Sequence, residues 1–250
     1  MRTSSALMAG AAALLLTACQ SDDGAAAPER PTGSGEPAVV VRTIPGTPSP
    51  AVLAALPEFT LYGDRSVVVP GPAEGSLLTA TVRRVDDAKA DRLYADAYET
   101  AHGPTPDTDA VDAGVLVATV AGPGQPRTAR LPLPDDDVKA FRERLDPQRW
   151  SPDAVVAAPR PYRPTRLAVF ARPWTDDSTP SRAWTLGDPT QGTDTTEGTC
   201  AILTGTRRAR AEHLAAAAGP GVVWTYRGAR LQLTLRPLLP HERDCDDLEP

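Results

Sequence analysis

The sequence predicts an α+β fold: antiparallel sheet with about three helices, laid out as ββα-like units and closed by a C-terminal β-hairpin. Three observations predict it. Pairs of strand-like runs are joined by links too short for a parallel crossover, which takes a dozen or more residues. Three segments carry helical patterning behind acidic or hydroxyl caps. In the last, clearest element Leu231, Leu233 and Leu235 alternate with Arg230, Gln232, Thr234 and Arg236, the period of a strand with one buried and one wet face.

Residues 1–18 have the layout of an export signal: Arg2 is the lone charge, and Ala6 to Leu16 is apolar or small. That run is too short to cross a bilayer core of about 30 Å as a helix. It is a cleaved signal or a buried helix, and Gln20-Ser21-Asp22-Asp23-Gly24 directly after Cys19 breaks any amphipathic period of the second kind. Leu16-Thr17-Ala18-Cys19 has the form of a lipobox, whose cysteine receives a diacylglyceryl thioether, with palmitate-type acyl chains, before cleavage just upstream. Two chains make a stable anchor where one does not. Residues 19–36, rich in Ser, Asp, Gly, Ala, Pro and Glu without apolar periodicity, read as a flexible tether. The expected place is the outer face of the cytoplasmic membrane, lipid-anchored.

Residues 37–250 are then one extracytoplasmic α+β domain, or two subdomains dividing near 150–165. Val39 to Val41 is a first strand. Phe59 to Tyr62 and Ser66 to Val69 form a hairpin around Gly63-Asp64-Arg65. A strand from Leu78 to Val85 leads to a helix from Asp87 to Ala101, with a stripe of Ala90, Leu93, Tyr94, Ala97, Tyr98 and Ala101. Val115 to Val120 and Thr128 to Leu131 precede a helix opened by Asp135, Asp136 and Asp137, carrying Val138, Phe141 and Leu145 and stopped by Pro147. The acidic triplet suits a helix N-terminus better than a calcium site. Trp150 to Pro164 reads as a surface connection, Leu167 to Ala171 as a strand, and Thr175 to Thr199 as irregular with Trp184 buried. Cys200 to Thr204 is a short strand, Thr206 caps a helix through Ala218, and Val222 to Tyr226 and Ala229 to Arg236 form the closing hairpin about Arg227-Gly228. Leu233, in its middle, is expected to be the most enclosed of the three leucines.

Phe59-Thr60-Leu61-Tyr62-Gly63-Asp64, Cys200, and Arg236-Pro237-Leu238-Leu239-Pro240 ahead of Cys245 resemble, in the same order, an uncharacterised family of actinobacterial secreted lipoproteins. The resemblance spans Val39 to Cys245 and implies the architecture and the paired cysteines, with no mechanism. Its members typically place glycine after the Tyr-Gly-Asp; this chain has Arg65, which a type I′ turn, with φ > 0 at both central residues, tolerates poorly.

The chain carries a formal charge of −6, which argues against general nucleic-acid affinity and against adhesion to anionic lipid. Its 27 prolines and 19 glycines in 250 residues stay below the roughly 25–30% typical of disorder. With Cys19 lipidated, Cys200 and Cys245 remain, an even pair expected to be a disulfide in an exported protein, the alternative being two separate buried thiols. No metal site is expected: there is no CxxC, and His102, His213 and His241 show no ligand spacing. No catalytic motif is present, and no cofactor is expected. Glu58 and Asp64 could make a carboxylate pair, but turns favour Asp for backbone reasons alone. Arg207, Arg208 and Arg210 read as a solvated helix face. Two functions follow. The favoured one is a non-enzymatic binding or scaffolding domain with an envelope protein or glycan partner, for which Tyr62, Trp174 and Trp224 are contacts if exposed. The alternative is an exported hydrolase whose site is assembled from residues distant in sequence.

Overall fold

The computed structural model describes residues 27–47, 52–104, 113–196 and 198–248. The signal, Cys19 and the start of the tether lie outside these residues. The described residues form three α-helices and thirteen strands in two sheets, a mixed α+β fold that is mostly antiparallel sheet.

Sheet A has seven strands. They are β1 (Pro37–Ile44), β2 (Phe59–Tyr62), β3 (Ser66–Pro70), β4 (Ala80–Val85), β5 (Val115–Val120), β6 (Arg127–Pro132) and β7 (Val155–Pro161), ordered β6-β5-β1-β2-β3-β4-β7, every pairing antiparallel. β7 corrects the expected surface connection. Its Pro159 and Pro161 cannot donate to a ladder on both sides, so this strand is tolerated only at an edge, and there it lies, with most of its residues exposed. Helices α1 (Asp87–His102) and α2 (Asp136–Leu145) cover one face of sheet A, α1 against β1, β5 and β6, and α2 against α1. Asp86 caps α1 by accepting from the Lys89 N–H at 2.6 Å, and Asp135 caps α2 by accepting from that of Val138 at 2.9 Å. Ala90, Leu93, Tyr94, Ala97 and Ala101 are buried against Val39, Val41, Phe59, Leu61 and Leu116.

The chain leaves sheet A after β7 and enters sheet B at once. β8 (Arg166–Pro173), β9 (Ser181–Ala183), β10 (Thr193–Thr195), β11 (Gly198–Thr204), β12 (Val223–Tyr226) and β13 (Ala229–Pro237) are ordered β10-β11-β8-β13-β12-β9, with only the β9–β12 pair parallel. β9 and β10 lie in the stretch expected to be irregular; at three residues each they are too short to show a period. Helix α3 (Gly205–Ala216) starts after Thr204, whose side chain makes no capping bond, so the expected Thr206 cap is also corrected. Leu231, Leu233 and Leu235 do share one core, with Leu167, Val169, Trp184, Trp224 and α3. Leu235 rather than Leu233 is the most enclosed, because the chain from the sheet A half crosses it: Leu235 N–H donates to the Ser76 carbonyl, and the Leu78 N–H donates to that of Leu235, each at 2.8 Å.

The halves therefore interlock. The β3–β4 connection brings Leu77 into the core of sheet B. It passes α3 so closely that a Cβ on Gly75, whose φ is +60°, would stand 2.3 Å from the Ala215 carbonyl oxygen. The face of sheet B turned from α3, with Ala168 and Phe170, is covered by Leu53, Ala54, Leu238, Cys245 and Leu248. The face of sheet A turned from its helices, with Tyr62, Val68 and Ala80, is covered by Leu239. Leu238 and Leu239 thus point to different sheets from consecutive positions, and residues 238–248 form a filling between the two.

Residues 27–36, expected to be tether, are docked. The Arg30 side chain is 6% exposed and donates to the Gly63 carbonyl at 2.6 Å and to Asp91 at 3.0 Å. Gly63 is required by this docking, since a Cβ there would lie 2.5 Å from the Gly33 carbonyl oxygen. The turn itself is not type I′. The Arg65 N–H donates to the Tyr62 carbonyl, and Arg65 alone of the three loop residues has positive φ, +69°. This is a three-residue loop with one left-handed residue.

Candidate functional site

The two sequence motifs meet at one place, between the sheets. Pro240 occupies the second position of a turn closed by the Glu242 N–H donating to the Leu239 carbonyl at 3.0 Å, a position for which its fixed φ is suited. The turn aims the Glu242 side chain back into the protein, where it is fully buried. Its Oε1 accepts from Arg236 Nη2 at 2.7 Å and from Arg42 Nη2 at 2.9 Å; its Oε2 accepts from Arg236 Nη1 at 2.8 Å and from the Leu239 N–H at 2.8 Å. Arg236, on β13, is also fully buried and donates through Nε to the Ala55 carbonyl. Arg42 reaches the same carboxylate from β1 of sheet A. Burial alone would raise the Glu242 carboxyl, but the hydrogen bonds and charge of Arg236, the Leu239 N–H and Arg42 outweigh it and hold it below the ordinary range. Burial, with Arg236 nearby, lowers Arg42 from its usual value.

Beside this group, the Tyr62 hydroxyl lies 2.9 Å from His241 Nδ1, their rings 5.8 Å apart. Burial and the Glu242 charge push the Tyr62 phenol up, so it stays protonated. Burial lowers His241 against the pull of Glu242, with Arg42 and Arg236 adding to the fall. Tyr162 donates to the Leu238 carbonyl at 2.9 Å, its phenol raised to about 12 by burial and by Glu242. Arg166 Nη2 donates to the Glu242 carbonyl. The expected contacts Tyr62 and Trp224 are corrected by this placement: each is 1% exposed, Tyr62 in this joint and Trp224 in the core of sheet B, where it donates to Ser76. Trp174 is half-buried.

The Glu242 carboxylate takes four donors, which leaves it no free lone pair with which to act as a base; the arrangement clasps the sheets together. Cys200 and Cys245 form a disulfide across a sequence separation of 45, tying the same segment to β11. The remaining sequence candidates are dispersed. His102 stacks on Tyr98 at the end of α1, and His213 is exposed on α3. Asp64 accepts from the Ser66 N–H at 3.0 Å while Glu58 is held by Arg142, so the two carboxylates make no pair. Arg208 pairs with Glu212 and Arg207 donates to the Leu186 carbonyl. Among the described residues no group of three or more His, Cys, Asp or Glu is placed to hold a metal ion. Period two assigns Arg236 to a wet face, Arg42 carries no local signal, and Glu242 stands out in the sequence only within His241-Glu242-Arg243-Asp244-Cys245, a superficial likeness to a metal motif. The signal available was a charged pair, Arg236 and Glu242, bracketing an otherwise apolar Pro-Leu-Leu-Pro.

The joint makes a pH dependence. A folded His241 below 6.5 binds its proton less readily than the unfolded chain does, so its contribution is whole above about 6.5 and is lost as pH falls toward the folded value. Glu242, held below 4.5, contributes above about 4.5 and loses that contribution as pH falls through its own folded value. Stability should decline in two stages on acidification. His241→Gln, whose amide can hydrogen-bond the Tyr62 hydroxyl without titrating, should remove the first stage in thermal unfolding scans from pH 7.5 to 4. An unchanged first stage would show that another group titrates.

No protein-family model, curated protein or solved structure matches this chain.

Proposed function

We propose that the chain is a lipoprotein held by a diacylglyceryl-modified Cys19 on the outer face of the cytoplasmic membrane, where it acts as a non-enzymatic binding or scaffolding domain. The observation that carries the reading is Leu16-Thr17-Ala18-Cys19 closing a short apolar run. The Cys200–Cys245 disulfide supports it, because structural disulfides persist in oxidising compartments outside the cytoplasm. No helix among the described residues is long and apolar enough to cross a membrane, and two acyl chains suffice for stable attachment.

Docking of residues 27–36 shortens the leash. The stretch from Cys19 to Ala27, at ~3.5 Å per residue, reaches at most about 28 Å. The end of the body carrying Arg30, Gly63 and the first turn of α1 is therefore held within that distance of the bilayer. In cell fractionation the wild-type protein should sediment with the membranes and carry a diacylglyceryl-modified Cys19 by mass spectrometry of its N-terminal peptide, and Cys19→Ser should be left unprocessed or appear in the soluble fraction. Unmodified Cys19 in membrane-free wild-type protein would refute the anchor. Capture of an envelope protein or glycan from detergent-solubilised membranes tests the binding role.

A further inference from the structure

Helices α1 and α2 leave part of their face of sheet A open. Between α2, the β3–β4 connection and the sheet lies a cleft of about 510 Å³, with apolar walls of Val69, Pro72 and Pro147 over the buried Val41 and Phe59. Thr81 and Arg83 enter it from β4, and Glu58, Arg142, Glu143 and Asp146 form its rim. The rim carboxylates are all engaged. Glu58 takes two hydrogen bonds from Arg142, at 3.0 and 3.1 Å, and Arg149 lies 3.0 Å from Glu143 and 3.8 Å from Asp146.

Arg83 is left over. It makes no ion pair or hydrogen bond among the described residues, and its Nε is buried without a partner. A buried donor without an acceptor is expensive, and an arginine in that position offers a planar fork suited to carboxylate or phosphate. The volume lies in the range of small-molecule sites, which are mostly apolar with a few polar groups fixing orientation.

We propose that this cleft binds a small organic anion, a carboxylate or phosphate carried on an apolar body. The anion is gripped by Arg83, and the body lies on Val69, Pro72 and Pro147. The proposal names the ligand class for the binding role above and rests on that role, but it does not depend on the lipid anchor. The full-length protein in detergent is titrated by isothermal calorimetry with hexanoate, phenyl phosphate and neutral hexanamide.

At least one anion should bind saturably, at least tenfold more tightly than hexanamide, and comparison of the two separates carboxylate from phosphate recognition. Arg83→Gln should weaken it tenfold or more with an unchanged circular dichroism spectrum, while Arg83→Lys retains part. Val69→Phe, which fills the cleft and leaves Arg83 in place, should also weaken it and serves as the test if Arg83→Gln does not fold. Binding by neither anion, equal binding of hexanamide, or wild-type affinity in both Arg83→Gln and Val69→Phe would overturn the assignment. A protein that captures an envelope partner yet binds neither anion would refute the cleft and leave the wider binding role standing.

Discussion

Replacing Glu242 by alanine is expected to destabilise the protein by about 3–5 kcal/mol, the usual effect of removing one member of a buried ion pair. The reason lies in what remains. Arg236, fully buried, and Arg42 would face each other without a counter-charge, and the Leu239 N–H would lose its acceptor. Against a total of about 5–15 kcal/mol for a typical domain, that is a large share. The double variant Glu242→Leu with Arg236→Met should lose less than the sum of its two single changes, since it removes the fully buried charge pair and leaves only Arg42, whose side chain is 14% exposed, without its partner. Urea unfolding of Glu242→Ala, the two single variants and the double variant measures this. A loss under about 1 kcal/mol for Glu242→Ala would mean that the carboxylate is hydrated and the joint is loose.

Leu235→Ala carries the second large effect, about 2–5 kcal/mol for truncating a buried leucine. Leu235 has no exposed surface and packs with Leu77, Leu167 and Trp224 where the β3–β4 connection crosses β13. The cavity would open where the halves interlock, so the backbone bonds to Ser76 and Leu78 would hinder its collapse. Thr234→Ala, half-buried on the opposite face, should cost under about 1 kcal/mol. Denaturant unfolding of both variants side by side decides it, and equal losses would contradict the burial of Leu235.

The elements most legible in the sequence are those whose own residues supply both pattern and stop. The stripe of α1 and its Asp86 cap lie one turn apart, and β13 alternates over its whole length. The Tyr-Gly-Asp and Arg-Pro-Leu-Leu-Pro motifs were visible as motifs, and the cysteine pair as a pair. What could not be read were interactions between segments far apart in the chain. Arg42 and Glu242 are separated by 200 positions, and nothing local to either names the other. Arg236 follows the polar phase of its strand, so period two alone assigns it to water; only the turn at Pro240, which carries a carboxylate beneath it, makes burial tolerable. The docking of residues 27–36 was hidden for the same reason. Their composition is that of a linker, and the partner that holds them is a glycine without a side chain and two aspartates on a helix. The cleft beside Arg83 depends on how far α2 reaches across sheet A, a tertiary quantity with no periodic signature.

The two sheets form one body joined by residues 238–248. Hydrogen exchange followed by mass spectrometry, at rising sub-denaturing urea, tests this directly by comparing peptides over β1 and β2 with peptides over β8 and β13. The slowest amides of both sheets should exchange with one common free energy and one dependence on urea, and Glu242→Ala should lower both together. Exchange of one sheet well before the other in the wild-type protein would contradict it.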